Sequence, residues 1–387
     1  MELQRYAEIY KKELLEQVIP FWETYSPDYQ YGGYFTCLKG KGKVYDKDKF
    51  VWLQARQVWM FATLYYNVKP DSKWKALALL GADFLEKNGR DAKGNWYFSL
   101  TQKGEPLVQP YNIFSDCFAA MAFGALYQIE PKKKYAQIAK DTFTNILVRQ
   151  GNPKGSYSKI YPGTRSLQNF ALPMILCNLS LELEHILSSD QVKEVTKATI
   201  ELVMGKFYHE ESGLVLENVS TNGDFVDSFE GRLLNPGHAI EAMWFIMNLG
   251  FRKKDMALVQ KAEKIMYQQL EHGWDKEYGG IFYFLDCKGH PPQQLEWDQK
   301  LWWVHLETLV ALAKTYAFNK SPKAKEWFIK VHQYTWNKFR DLEHKGEWYG
   351  YLNRKGEILL DLKGGKWKGC FHVPRALLEI WKTLETL

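Results

Sequence analysis

Cysteine is scarce in this sequence and scattered along it. The 387 residues include five cysteines with no CxxC pair, and their odd number and wide spacing support neither a disulfide framework nor a metal site. No apolar run reaches the roughly 18 residues that a membrane-spanning helix needs. The first 22 residues form a charged, amphipathic segment and lack the apolar core of a signal peptide. We therefore expect a cytoplasmic protein without a bound metal.

Neither basic nor acidic residues are concentrated in one part of the sequence. The chain has 51 basic and 45 acidic residues, a net charge of +6, and the two signs are mixed along its length. The lack of a dense basic run argues against nucleic acid as a partner, although a mild positive field favours anionic effectors. Aromatic residues, in contrast, are abundant at 16%. Such rings mostly fill cores, and they also flank clefts that bind sugars.

A repeated pattern runs through the whole chain. Each copy has a glycine, an aromatic strand-like run, a polar turn with glycine, a second short run and then an apolar helix. The alternating runs around these turns predict β-hairpins, and the third copy is degenerate. The marker glycines are spaced by 61, 61, 58, 67 and 66 residues and are Gly33, Gly94, Gly155, Gly213, Gly280 and Gly346.

Two kinds of helix alternate with the hairpins. Six such pairs bury their apolar faces when they close into a ring with the apolar helices inside. The sequence therefore predicts an all-α (α/α)6 barrel, one domain over 1–387, with hairpins at the mouth where the inner-helix N-termini converge. Unpaired N–H groups and helix dipoles there favour negative charge developing on a ligand. Apolar helices are predicted at about 50–67, 113–129, 167–187, 236–249, 297–317 and 371–385, and amphipathic ones at about 2–22, 71–88, 133–149, 190–208, 254–271 and 322–340.

The stretch DSFEGRLLNPGHAIEAMWFIMNL, residues 227–249, carries the clearest signs of a site. Asn235 suits an N-cap and Pro236 the first helical position. His238 then falls in the first turn, and Glu241 follows one turn later on the same face. The rest of the helix is almost wholly apolar, which predicts burial. A satisfied core histidine and a functional site are both open on this stretch alone.

Aligning the copies brings polar side chains to the position of His238 in most other inner helices. They are Arg56, Asp116, His305 and His372, whereas the third copy offers only Gln168 and Asn169. This recurrence favours a site at the mouth.

Copies four and six are two sectors apart, so His238 and His372 should face a ligand from different walls. A place in the first turn should lower the pKa of such a histidine and keep neutral imidazole available as a base. Glu241 could orient His238, and Arg56 could bind a carbonyl or alkoxide oxygen.

Two opposed bases with a cation nearby suit removal of a proton next to a carbonyl and its return on the other face. Trp302 and Trp303 are predicted to form an aromatic wall beside a sugar, and a core role is equally compatible. A glycosidase with paired carboxylates is the main rival, although its candidates are less regularly placed than the histidines. Another sugar epimerase or isomerase on the same barrel is a further alternative. A binding protein that uses its outer helices and not His238 is a third possibility. The carboxylate candidates are Asp116, Asp227, Glu230, Glu296 and Asp298.

Five long segments resemble the N-acylglucosamine 2-epimerase family, called renin-binding protein in animals, and its cyanobacterial members in particular. They are WLQARQVW from 52, QPYNIFSDCFAAMAF from 109, FEGRLLNPGHAIEAMWF from 229, HPPQQLEWDQKLWWVHLE from 290 and LKGGKWKGCFHVPRAL from 362.

The resemblance runs from the first helix to the last and implies an (α/α)6 barrel that interconverts N-acetylglucosamine and N-acetylmannosamine without a redox cofactor, as a homodimer. It also implies that His238 and His372 are the acid/base pair, that Arg56 and Glu307 are required, and that Glu241 is a second acidic partner. Relatives acting on disaccharides or free hexoses have a further histidine on the third inner helix. LQNFALPMILCNL in this chain has none, which is similar to the N-acyl branch.

The segment RQGNPKGSYSKIYPGTR from 149 resembles the nucleotide segment proposed for cyanobacterial members, many of which ATP stimulates. It lacks the GK[ST] helix start of a Walker motif, and a solvated basic loop is the alternative. The resemblance implies ATP as an allosteric activator and no cofactor for the chemistry. The candidate contacts are Arg149, Lys154, Gly155, Lys159 and Arg165.

Overall fold

The computed structural model describes residues 3–161 and 163–387, and their helices form two concentric rings. The outer helices bury one face each, as their amphipathic pattern predicts. They are α1 (Gln4–Lys12), continued by a π-helical segment (Glu13–Val18) and α2 (Ile19–Tyr25), then α4 (Ser72–Asn88), α6 (Lys133–Arg149), α8 (Ser189–Glu201) with a π-helical segment (Leu202–Lys206), α10 (Met256–Gly273) and α12 (Pro322–Lys338).

The inner helices are buried over most of their length, which matches their apolar composition. Asn112 and Asn235 cap two of them, each with a side-chain oxygen that accepts a backbone N–H of the first turn. The inner helices are α3 (Val51–Asn67), α5 (Ile113–Ile129), α7 (Ala171–Glu182), α9 (Pro236–Lys253), α11 (Trp302–Asn319) and α13 (His372–Glu385).

The ring closes through its two ends. Each inner helix from α3 to α11 packs against the outer helix that follows it in the chain, whereas the last one, α13, packs against α1. Trp59 of α3 meets Phe371, the residue before α13, with ring centroids 5.4 Å apart. The (α/α)6 barrel predicted from the repeats is confirmed. The interpretation of 1–387 as one domain stays a prediction, which this closure supports.

Most strand pairs at the mouth join neighbouring copies of the repeat, whereas the sequence predicts hairpins within each copy. Local hairpins occur where β1 (Leu38–Lys39) pairs with β2 (Lys43–Val44), β4 (Ser99–Leu100) with β5 (Pro106–Val108), and β7 (Tyr208–His209) with β8 (Leu214–Val215). Four pairs instead link one copy to the next, so the mouth is tied around its rim. They are β3 (Lys49–Phe50) with β4, β6 (Leu167–Asn169) with β9 (Asn218–Ser220), β10 (Leu233–Leu234) with β11 (Leu285–Asp286), and β12 (Lys300–Leu301) with β13 (Tyr351–Leu352).

Buried aspartates hold the turns that follow several outer helices. Asp275 accepts backbone N–H groups of Glu277 and Tyr278 with one oxygen, and Lys300 and Arg354 donate to the other at 3.0 Å each. Lys300 and Asp275 are at most 1% exposed. Asp28 and Lys49 repeat this arrangement in the first copy, with a separation of 2.8 Å.

In the part of the chain that the structure describes, no helix combines the length and the hydropathy needed to cross a bilayer.

The Lys300–Asp275 pair yields a stability prediction. Lys300→Met should lower the free energy of unfolding by about 3 kcal/mol, because it removes one partner of a buried ion pair. Urea denaturation followed by circular dichroism measures this. The control Lys93→Met, at an exposed lysine in the corresponding turn of the second copy, should change it by less than about 0.5 kcal/mol. Equal effects of the two substitutions would contradict a structural role for the buried pair.

Candidate active site

Two histidines from different inner helices face the same indole at the mouth of the barrel. Trp303 of α11 contacts both, with its ring centroid 5.2 Å from that of His238 on α9 and 5.8 Å from that of His372 on α13. Their side chains are 26% and 10% exposed, respectively. The expectation that these two residues approach a common space from separate walls agrees with this geometry.

His238 is backed by a carboxylate that the sequence reasoning missed. Its Nδ1 lies 2.9 Å from Oε1 of Glu217, which is only 6% exposed. The Glu217 backbone is fixed on both sides, because its N–H donates to Leu233 and its carbonyl accepts the N–H of Phe170. With Nδ1 engaged, Nε2 of His238 is the nitrogen left for a ligand.

The pKa of His238 is shifted in the direction opposite to the one expected from its first-turn position. Burial lowers the pKa, but the charge of Glu217, its hydrogen bond and the charge of Glu241 together raise it above its ordinary value. The expectation of a lowered pKa was wrong for His238, because a carboxylate in contact outweighs the helix dipole.

His372 has a carboxylate behind it too, but in a cationic setting. Its Nδ1 lies 2.7 Å from Oε1 of Glu307, and the same oxygen is 2.7 Å from Nη2 of Arg375. The pKa of His372 is held well below its ordinary value, first by burial and then by the charges of Arg56 and Arg375. With Nδ1 engaged, Nε2 of His372 is left for a ligand.

Arg375 joins three inner helices. Its guanidinium reaches Glu241 on α9 at 2.5 Å as well as Glu307 on α11, and all three side chains are nearly or fully buried. Trp244 donates from Nε1 to the second oxygen of Glu307 at 3.1 Å. Glu241, which we expected to orient His238, makes its direct contact with Arg375 and acts on His238 only through its charge.

Arg56 is held without an acidic partner. Its guanidinium carbon lies 3.9 Å from the ring centroid of Phe118 and 4.4 Å from those of Trp52 and Phe371. Arg56 is 7% exposed, and no described residue offers its Nε a hydrogen bond. A desolvated cation that retains its donors is suited to bind an oxygen of a ligand.

Asp116 and His305 do not reach the site, contrary to the prediction. His305 is fully buried, with Nδ1 2.7 Å from the carbonyl of Leu301 and Nε2 accepting the N–H of Ile281 at 2.9 Å. Burial lowers the pKa of His305 to about 3. Asp116 is fully buried beside Arg149, and burial raises its pKa to about 7.

The error lies in the helical register. Asp116 and His305 are both at the fourth position of their helices, as is Gln54, which hydrogen-bonds both backbone groups of Tyr34. Side chains at this position hydrogen-bond the backbone of the segment that follows the marker glycine. The sixth position faces the lumen, and it carries Arg56, Phe118, Glu241 and Glu307. Successive residues differ by about 100° around a helix, so a shift of two residues reverses the face.

Trp302 lies beside His372 and Tyr351, with ring centroids 6.2 Å and 5.2 Å away. It is 3% exposed, and its Nε1 has no partner among the described residues. Trp302 and Trp303 thus line the His372 side of the mouth, as the prediction of an aromatic wall requires.

The predicted nucleotide segment lies on the outside of the barrel. Arg149 is engaged by Asp116 at 2.9 Å and by the carbonyls of Pro110 and Pro153. Lys154, Lys159 and Arg165 are exposed, Gly155 is half-buried, and Arg165 lies 3.8 Å from Glu230. Pro162, also in this segment, is outside the described residues.

Three side chains at the site have donor atoms close enough to share a cation, namely Glu241, Glu307 and His372. The guanidinium of Arg375 already contacts both carboxylates, so a positive charge belonging to the chain occupies the position between them.

A narrow pocket extends from Arg56, Glu241 and Arg375 between α5 and α7. Its lower part has apolar walls that include Met121, Ile175 and Leu179. None of the five carboxylates proposed for a glycosidase lines this cavity. Asp227, for instance, is bound on the surface by Arg232 and Lys288.

Sequence signals for the missed residues exist. Arg375 follows His372 by three residues, the same spacing as Glu241 after His238, so the pairs are equivalent. Glu217 interrupts the apolar run GLVLENV, and a lone charge in a buried strand needs a partner.

The chain is similar in sequence to known proteins over its whole length. The profile of the N-acylglucosamine 2-epimerase (GlcNAc 2-epimerase) family matches residues 33–376. The N-acylglucosamine 2-epimerase of Mus musculus is 39% identical, over 100% of this chain and 95% of its own length. That of Homo sapiens is 37% identical, over 100% and 91%.

The structure of a cellobiose 2-epimerase from Bacillus thermoamylovorans superposes with a TM-score of 0.85 at 19% identity, over 98% of this chain and 99% of that one, which supports the shared fold. The family match and the full-length identity together show that the chain belongs to the N-acylglucosamine 2-epimerase family and is an isomerase of the epimerase type.

Proposed function

We propose that the protein interconverts N-acetylglucosamine and N-acetylmannosamine by moving the C2 proton between two histidines. The observation that carries the proposal is the placement of His238 and His372 beside the same indole, that of Trp303, each with Nδ1 on a carboxylate and Nε2 available. The names of the mouse and human relatives support the substrate class.

The reaction needs the open-chain aldehyde of the sugar, in which the C2 proton lies next to a carbonyl. One histidine takes this proton through Nε2, and the electron pair moves onto the C1 oxygen to form an enolate intermediate. Arg56 and the inner-helix N-termini stabilise the negative oxygen. The other histidine then protonates C2 from the opposite face, which inverts the carbon.

Single-histidine variants test the two-base mechanism. His238→Asn and His372→Asn should each lose about 10²- to 10⁴-fold in epimerisation, since each removes one proton carrier. Each variant should still exchange the C2 proton of one epimer with heavy water, and the two variants should act on different epimers. Nuclear magnetic resonance of the C2 proton follows the exchange. Full epimerase activity in either variant, or exchange of the same epimer by both, would exclude the assignment.

Arg56 is predicted to act in the transition state. Arg56→Met should lower kcat by about 10²- to 10³-fold, the usual effect of losing one donor to a developing oxyanion. A steady-state assay with N-acetylmannosamine measures this. Arg90→Met is the matched control, because Arg90 also lies over an aromatic ring, Trp96, but outside the cavity. A change confined to KM would assign Arg56 to ground-state binding only.

Three further predictions about the protein belong to this proposal: a cytoplasmic location, a homodimer and allosteric activation by ATP. Lys154 and Lys159 are exposed in the predicted nucleotide segment and could bind the phosphates. ATP should raise the melting temperature and the epimerisation rate, and a Lys154→Ala, Lys159→Ala double variant should lose both responses. No response of the unmodified protein to ATP would remove this part of the proposal, and sedimentation tests the dimer.

A further inference from the structure

The two histidines differ in the net charge of the groups behind them. Glu217 is the group at Nδ1 of His238, and no described arginine or lysine contacts its carboxylate. Glu307 is the group at Nδ1 of His372, and Arg375 contacts it at 2.7 Å. One imidazole therefore rests on an uncompensated negative charge, and the other on a charge that is already paired.

The remaining charged groups around the pair strengthen this difference. His238 faces Glu217 from the segment between β8 and β9, Glu241 on its own helix, and His372 from α13. His372 faces Arg56 from α3, Glu307 from α11 and Arg375 on its own helix, as well as Glu241 and His238 from α9. Two cations thus lie near His372, whereas the acidic groups predominate around His238.

From this arrangement we infer that Glu217 is a positioning residue that makes His238 the resting proton carrier, while the Glu307–Arg375 pair leaves His372 as the resting base. The inference rests on the proposed epimerase function for its catalytic meaning. In the resting protein both Nδ1–H groups donate to carboxylates, and a proton is present on Nε2 of His238 but not on Nε2 of His372.

The protons balance in each turnover. For the epimer whose C2–H faces His372, the C–H bond breaks, Nε2 of His372 gains the proton, and the electron pair delocalises onto the C1 oxygen as an enolate. Nε2–H of His238 then gives its proton to C2 on the other face. The protein ends with the proton on His372, and transfer through solvent restores the resting form. Conversion of the other epimer starts with a proton on Nε2 of His372 and none on Nε2 of His238.

The expected pH dependence follows from the same assignment. Activity requires one proton on the pair, so kcat/KM should fall on the acid side as His372 becomes protonated and on the alkaline side as His238 loses its proton. His238 has a raised pKa and His372 a lowered one, which sets a broad plateau between the two limbs.

Glu217→Gln tests this inference while keeping the size of the side chain and its capacity for a hydrogen bond. Loss of the negative charge should move the alkaline limb of kcat/KM to lower pH by about 1 to 3 units, the range for a neighbouring charge. The acid limb should stay in place, since Glu307 and Arg375 are untouched. Glu217→Asp, which keeps the charge, should restore the alkaline limb at least in part, and Glu211→Gln, at an exposed glutamate of the same region, should change neither limb.

Titration of the substrate-free protein separates this inference from the proposed function. Nuclear magnetic resonance of the labelled histidine side chains, assigned with His238→Asn and His372→Asn, should show His238 titrating above His372, and Glu217→Gln should lower the pKa of His238. This result would uphold the charge assignment even if no sugar were epimerised. His238 titrating below His372 in the unmodified protein would overturn the inference, as would an equal loss of activity at every pH in Glu217→Gln with no shift of the limb.

Discussion

The contact of Arg375 with Glu241 and Glu307 is the interaction on which the site depends. It places one cation between two carboxylates in a lumen that is otherwise built from apolar helices, and it ties α9, α11 and α13 together. An unpaired charge at such depth would cost several kcal/mol. The chain therefore carries its own counter-ion into the barrel, and this counter-ion also fixes the carboxylate that orients His372.

The same pairing accounts for the division of labour among the polar residues of the inner helices. Arg375 contacts both carboxylates, and no described residue accepts a hydrogen bond from Nε of Arg56, so this donor remains for a ligand. Glu217, on a different element, contacts no described lysine or arginine, and its carboxylate hydrogen-bonds His238. The properties of the site thus depend on which of its few charged groups are paired, and not on the number of titratable groups.

Much of the fold could be predicted from the sequence because repetition is a strong signal. Six glycine-marked copies with alternating apolar and amphipathic helices leave few arrangements other than a closed ring. The strands were harder to predict, because pairing between copies depends on how the rim closes. A local turn such as that at Gly289 looks like a hairpin in sequence, yet β11 pairs with β10.

The sequence predicted which part of each inner helix forms the site to within about one helical turn, but it did not predict which side chains face the lumen. Alignment predicted a site with Arg56, His238 and His372, which the fold brings to one end of the barrel, and it added His305 and Asp116, which hydrogen-bond backbone groups two positions away from the lumen register. Glu307 came only from the family resemblance. Glu217 and Arg375 were missed because a carboxylate between two rim strands and an arginine after a proline have partners more than 20 residues away in the sequence.

The isotopic composition of the first product molecules tests the two-histidine account most directly. When N-acetylmannosamine is converted in heavy water and stopped at a few per cent conversion, the account predicts one deuterium at C2 of essentially every N-acetylglucosamine molecule, with the remaining substrate still protonated at C2. Product that retains its original C2 hydrogen would mean that a single group removes and returns the proton, and it would contradict the account.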